Sequence, residues 1–282
     1  MTWKEWVEDM AMIDDLMAYM DDLADEDLCV AFSGGVDSAV ILKAACEAAK
    51  RRGSKVYAVT FETRLHPQAD LPVARQLAAE AGAIHHVIYV NELDNPLILN
   101  NPVDRCYHCK HYLFEQLIDF AKGLGIGTIL EGNNADDLLV YRPGWRAVQE
   151  LGIKSPLAEL GISKAKVREI AAAMGLSVAS RPSSPCLATR LPYGTPIDFD
   201  VLARIDRGET LMKALGFEIV RLRLHGDILR IEIPKDRFAD LMAVYGRVTE
   251  EMKTLGFTYI TLDLEGFRSG SMDVHIQSPG KA

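Results

Sequence analysis

The segment Cys29-Val-Ala-Phe-Ser-Gly-Gly-Val-Asp-Ser-Ala-Val40 places a Ser-Gly-Gly-Val-Asp-Ser turn between a short apolar run and an alanine-rich helical pattern. The adjacent glycines Gly34 and Gly35 let backbone amides close around an anion with no Cβ in the way. The helix N-terminus that follows adds partial positive charge. Ser33 and Ser38 carry hydroxyls that can donate to phosphate oxygens, and Asp37 can hold Mg²⁺ beside them. The turn lacks the Gly-Lys-Ser/Thr of a Walker-type loop. The competing reading is a glycine-rich strand-to-helix turn that binds nothing.

The five cysteines are not equivalent. Cys29 falls in the strand-like run Leu28–Phe32 and Cys46 in a helix, where each reads as a small buried apolar residue. Cys106, Cys109 and Cys186 sit in polar surroundings that read as turns. An odd number of cysteines does not suit a disulfide framework and points toward metal or catalytic use. Zinc held with His108 or His111, a redox pair, an iron–sulfur cluster and a lone reactive Cys186 are all open on residue type and spacing.

Further candidates follow from position. Asp136, beyond a strand ending at Glu131, suits a nucleotide or its metal. Arg142 and Arg146 could pair with phosphate or AMP, and Arg190 could grip a carboxylate through two hydrogen bonds. Arg221 and Arg223 alternate along one strand and so share a face, where two guanidiniums suit a phosphate. Against each stands a solvated surface charge. Glu209 and Asp240 could bind a metal, a role that only the resemblance described below implies, and fit equally well as ordinary acids on helix surfaces.

These residues need a frame. Strands at 28–32, 55–61, 83–90 and 127–131 alternate with helices near 37–52, 69–82 and 107–124, after an acidic amphipathic helix within 1–27. That alternation predicts an α/β fold with a doubly wound parallel sheet, covered on both faces. Ligands of such sheets bind beyond the carboxyl ends of the strands, so Ser33–Ser38, Thr60–Thr63 and Glu131–Asp137 should converge. The Pro- and Ser-rich stretch at 181–196 breaks the rhythm. Beyond it the order is helix, two strands joined at Gly226-Asp227, helix, strand, which predicts a second, smaller α+β domain. The division expected is 1–190 and 191–282, with Ser269–Ala282 loosely ordered.

Composition excludes other classes. With 49% hydrophobic and 25% charged residues, the 282-residue chain reads as globular. A net charge of −9 argues against a broad nucleic-acid surface. The acidic start has neither the basic flank nor the apolar core of a signal peptide, and no apolar run approaches a membrane span. A cytoplasmic protein without membrane or nucleic-acid partners is expected.

SGGVDS resembles the pyrophosphate loop of the PP-loop ATP pyrophosphatases, which adenylylate a substrate oxygen and let a nucleophile displace AMP. Further segments occur in order: Arg105–Lys110, Glu131–Asp137, Tyr141–Arg146, Ser155–Leu157, Arg181–Arg190, Arg221–Arg223 and Arg230–Glu232. Together they resemble the LarE family of ATP-dependent sulfur transferases over residues 10–270. The resemblance implies ATP at Ser33, Gly34, Gly35, Asp37 and Ser38, with Thr60 and Asp136 nearby. It also implies a pyridinium-3,5-biscarboxylic acid mononucleotide substrate, converted to a thiocarboxylate for a nickel-pincer cofactor, with its phosphate on Arg221 and Arg223. Asp37, Cys186 and Arg190 are then the expected catalytic residues. One form of the family spends the cysteine corresponding to Cys186 as its own sulfur source and has no cluster. Another adds a Cys-x-x-Cys pair, and Cys106, Cys109 and Cys186 resemble its [4Fe–4S] ligands. A homo-oligomer is expected, the second domain serving substrate binding and oligomerisation. A tRNA thiolase and an ATP-dependent amide-forming synthetase are the rivals. The acidic balance opposes the first, and the second leaves three cysteines unexplained.

Overall fold

Leu28–Ala31 (β1) is apolar at every position because both of its faces are covered. In the computed structural model, which describes residues 3–140, 142–182, 184–268 and 270–271, β1 is flanked by parallel neighbours on both sides. Val56–Glu62 (β2) pairs with β1 in the register Val30 to Ala58, and Ile84–Tyr89 (β3) pairs with β2. Thr128–Leu130 (β4) pairs with the other edge of β1, giving the order β3-β2-β1-β4. The expected α/β parallel sheet is therefore present.

Side chains alternate across the sheet. Leu28 and Val30 join a core with Trp3–Leu23 (α1), Val36–Arg52 (α2), Asp70–Ala81 (α3) and Lys164–Ala173 (α7). Cys29 and Val59 point the other way, onto Arg105–Gly123 (α4) and Pro143–Glu150 (α5). Cys29 is thus the small buried residue its strand predicts, and burial pushes its thiol up to about 12. The order runs outward from β1 through β2 to β3, then returns to the far side of β1 with β4. The crevice between β1 and β4 is where a doubly wound sheet opens for a ligand.

Packing divides the chain into two units. The first comprises 1–63, 69–95 and 104–184; the second comprises 64–68, 96–103 and 185–282. The two short excursions join the second unit by backbone bonds: Leu187 N donates to Leu65 O (2.7 Å), and Ile197 N to Leu99 O (2.7 Å). In that unit Phe199–Ala214 (α8) and Phe238–Thr254 (α9) accompany a three-stranded sheet. Arg221–His225 (β5) and Ile228–Glu232 (β6) form the antiparallel hairpin expected around Gly226-Asp227, and Tyr259–Leu262 (β7) lies parallel to β6. Ser269 and residues 272–282, part of the terminal segment expected to be loose, lie outside the described residues.

Gly132 follows β4 and meets the first turn of α2. A Cβ there would lie 2.8 Å from Ser38 N, against backbone that cannot step aside. Gly132→Ala should therefore destabilise by about 1–3 kcal/mol, as overpacking does. Denaturant unfolding with an unchanged midpoint would contradict this close approach.

Candidate active site

At the carboxyl end of β1 the chain turns through Gly34, whose φ of +72° and whose approach to Ala74 leave no room for a side chain. Hydroxyls organise the turn. Ser33 Oγ lies 3.2 Å from Ser38 Oγ, the Gly35 amide donates to Ser33 Oγ (3.3 Å), and Ser38 Oγ donates to Gly35 O (3.1 Å). Asp37, in the first turn of α2, accepts from Asn134 Nδ2 (3.1 Å) and from the Lys164 ammonium. Asn134 starts the short 3₁₀ turn Ala135–Leu138 beyond β4, and Lys164 opens α7. The β1 and β4 ends therefore meet at the carboxylate of Asp37. Asp136 is exposed there, accepting from Lys164 N (3.0 Å). Thr60 is buried and donates to Phe32 O (2.7 Å), tying β2 to the end of β1.

Glu131, buried at the end of β4, accepts from Lys110 Nζ (3.0 Å), from Asn133 N (2.9 Å) and from Ser155 Oγ, just before Pro156–Glu159 (α6). Lys110 stands on α4 beside the Cys-x-x-Cys pair. That helix begins at Arg105, two residues before the predicted start, so Cys106 joins Cys109 within it and neither lies in a turn. Three residues apart, they share one face. Cys106 is exposed, with Arg105 Nη2 3.5 Å from its sulfur, and Cys109 is half-buried. Arg142 pairs with Asp137 (2.6 Å); Arg146 pairs with Glu150 (3.1 Å) and lies 3.7 Å over the Tyr107 ring. Both arginines are engaged by protein carboxylates.

The second unit holds Cys186 at the start of the 3₁₀ turn Leu187–Arg190. Arg190 does grip a carboxylate bidentately, that of Glu209 on α8 (Nε to Oε1 2.7 Å, Nη2 to Oε2 2.9 Å). Both side chains are nearly fully buried. Arg221 and Arg223 share a face as predicted, but that face is buried, not solvated. Arg223 Nε donates to Glu232 Oε1 (2.7 Å) and Nη1 to Thr189 O (2.6 Å). Arg221 Nη1 donates to Val220 O (2.7 Å), and its guanidinium lies 5.4 Å from the Phe267 ring centroid. Burial, with Arg190 close by, pushes Arg221 down to about 10. Among the described residues of this unit, three guanidiniums (Arg190, Arg221, Arg223) and two carboxylates (Glu209, Glu232) are buried, one more cation than anion. Asp240 is an exposed helix acid paired with Arg237 (2.6 Å).

Sequence reasoning passed over Lys164, Asn134 and Arg181. Arg181 donates to Gly34 O (3.4 Å) and to Asp70 Oδ1 (2.7 Å), bracing the turn from outside. Its place in the quoted Arg181–Arg190 segment was the available signal; Lys164 had none beyond a serine before a helix. Among the described residues, no three His, Cys, Asp or Glu side chains are gathered so as to hold a metal ion. Cys106 and Cys109 share one helical face in the first unit, and Cys186 belongs to the second; thiols are the donors that iron–sulfur clusters take. No helix among the described residues is long and apolar enough to cross a membrane.

A doubly wound sheet with a Ser-Gly-Gly-Val-Asp-Ser turn at its crevice defines a nucleotide-binding domain of the ATP pyrophosphatase class, and the asparagine synthase family model matches residues 20–105. The chain is 37% identical, over 258 residues, to the pyridinium-3,5-bisthiocarboxylic acid mononucleotide synthase of Lactiplantibacillus plantarum, covering 92% of each protein. It belongs to that family, the LarE family. It is also 38% identical over 246 residues to the uncharacterized protein slr1717 of Synechocystis, covering 86% of this chain and 91% of that one. A more distant similarity, 27% over 194 residues, links it to the tRNA-specific 2-thiouridylase MnmA of Rickettsia bellii, covering 56% of this chain and 52% of the relative.

The Arg190–Glu209 pair has a pH signature. Burial pushes Glu209 up, but the hydrogen bonds and charge of Arg190, the Leu222 amide and Arg221 outweigh it, leaving the carboxyl below its usual value. A depressed carboxylate contributes stability above its unfolded pKa of about 4.3, lost as pH falls through the folded value. Unfolding free energy should therefore fall on acidification below about pH 4.3, and less steeply in Glu209→Gln. Identical slopes in the two proteins would contradict the pairing.

Proposed function

We propose that this enzyme converts a carboxylate of pyridinium-3,5-biscarboxylic acid mononucleotide to a thiocarboxylate, using ATP, for nickel-pincer cofactor biosynthesis. The observation that carries the reading is the Asp37 turn in the crevice between β1 and β4, in a chain aligned along nearly its whole length with a synthase of the bisthiocarboxylic product. The Gly34 and Gly35 amides, with Ser33 and Ser38, cradle the β- and γ-phosphates. Lys164 and a Mg²⁺ on Asp37 neutralise the charge that develops on pyrophosphate, while Thr60 and Asp136 border the nucleotide. A substrate carboxylate oxygen attacks the α-phosphorus and pyrophosphate leaves. Sulfur then attacks the activated carbonyl carbon, and AMP departs with the former carboxylate oxygen. The second unit, expected also to mediate a homo-oligomer, receives the substrate phosphate at Arg221 and Arg223, where the surplus buried positive charge supports the assignment. Arg142 and Arg146 are further candidates for AMP or phosphate. The reaction is assigned to the cytoplasm.

For the sulfur, the donor chemistry of Cys106, Cys109 and Cys186 supports a [4Fe–4S] cluster. When bound, such a cluster supplies an iron without a protein ligand, able to carry exogenous sulfide. The rival reading spends Cys186 itself, leaving dehydroalanine. The tRNA thiolase reading has the MnmA similarity in its favour, but only over 56% of the chain, and the net charge of −9 opposes a tRNA surface.

With Mg²⁺, ATP and the dicarboxylate mononucleotide, the enzyme should release pyrophosphate and AMP, and Asp37→Ala should abolish the release; ADP as the product would overturn the reading. Arg221→Ala should raise KM for the mononucleotide, with a loss of about 1.5–3 kcal/mol, and leave ATP affinity nearly unchanged. Unaltered substrate kinetics would remove Arg221 from the phosphate site. For the cysteines, intact mass after one turnover is decisive. The cluster reading expects no loss, with iron near four per chain after anaerobic preparation. A mass lower by about 34 Da in iron-free active protein would show that Cys186 gave up its sulfur.

A further inference from the structure

We propose that Glu209 is a positioning residue for sulfur transfer, fixing the Cys186 turn against the strand that carries Arg221 and Arg223. The proposal rests on the reading above in giving Cys186 the sulfur-handling role. Glu209 is 2% exposed, and among the described residues it bonds Arg190 and the Leu222 amide. Its two oxygens hold Arg190, and Oε1 also accepts the Leu222 amide of β5 (3.0 Å). One carboxylate on α8 thus joins the 3₁₀ turn to β5.

The chain of bonds continues to Cys186. Arg190 Nη1 donates to Thr189 Oγ1 (2.8 Å), and Thr189 Oγ1 donates to Cys186 O (2.8 Å). Arg190 Nη1 also reaches Pro185 O (3.4 Å) and Cys186 O (3.5 Å). From the strand side, Arg223 Nη1 holds Thr189 O, itself steadied by Glu232. On the far side of Cys186, the Leu187 amide is held by Leu65 O. The backbone that carries the thiol is therefore clamped before, at and after Cys186.

Stability alone does not account for this arrangement. A buried ion pair seldom stabilises more than the apolar residues that could replace it. What the pair provides is geometry: the carbonyl of Cys186 and the two arginines of β5 are referred to the same carboxylate. A displacement of even about 1 Å at a reacting atom can cost on the order of a hundredfold in rate. Glu209 touches neither sulfur nor substrate in this scheme; it acts through Arg190 and Leu222.

The test uses the full-length chain and two variants, Glu209→Gln and Thr189→Val, the second removing only the hydroxyl that relays Arg190 to Cys186 O. Two quantities are read. One is the rate of iodoacetamide alkylation at Cys186 relative to Cys106, by peptide mass mapping of chelator-treated protein. The other is thiocarboxylate formed per pyrophosphate released. Both variants should alkylate Cys186 about tenfold faster relative to Cys106, and should release pyrophosphate without a matching yield of thiocarboxylate. A purely structural pair would change the thermal midpoint and neither ratio. If Glu209→Gln does not fold, Thr189→Val decides by the same two ratios. Wild-type values of both ratios in the folded variants would overturn the proposal. If the wild-type chain itself makes no thiocarboxylate, the functional reading fails, and the alkylation ratio still decides the positioning role.

Discussion

The carboxylate of Asp37 is the point on which the first unit is assembled. It lies in the first turn of α2, it is bonded by Asn134 from beyond β4, and it is paired with Lys164 at the start of α7. The contact requires the end of β4 to come within van der Waals distance of the first turn of α2, which only a glycine at position 132 allows. Two strand ends, adjacent because the sheet order reverses between them, are thereby fastened around one anion-binding turn. Glu131 extends the arrangement, since Lys110 reaches it from the turn of α4 that carries Cys106 and Cys109. Two of the three thiols are thus carried on a helix fastened to the end of β4.

The second unit is built on a different constraint. It buries Arg190, Arg221 and Arg223 together, which is costly unless each charge is met. Glu209 and Glu232 meet part of it, and backbone carbonyls of Val220 and Thr189 take further donors. Burial, and the charge of Arg190 beside it, depress Arg221 to about 10.

Much of this was legible in the sequence, and the reasons are specific. β1 and β2 stand out as mostly apolar runs, whereas the edge strand β3, partly exposed, is legible through its β-branched and aromatic residues. The SGGVDS turn was legible because glycine at positive φ has few substitutes. The helices α5, α6 and α7 went unassigned, because the stretch 139–180 mixes proline, glycine and charge without a clear period. With α7 went Lys164, whose importance depends on where the chain brings it. Arg221 and Arg223 could be placed on one face by alternation, but their burial could not be foreseen. Strand pattern gives facing; only packing shows that Glu209 and Glu232 lie beneath them. The expected start of α4 falls two residues late, which leaves Cys106 just outside a helix that already contains Cys109.

The proposed function depends on one step, activation of a carboxylate by transfer of AMP at the Asp37 turn. Mononucleotide labelled with ¹⁸O in its carboxylates tests this without reference to the sulfur source. Each turnover should move one labelled oxygen into the phosphate of AMP, seen as a mass increase of about 2 Da in the nucleotide and none in pyrophosphate. AMP that stays unlabelled while thiocarboxylate accumulates would contradict adenylylation at this site.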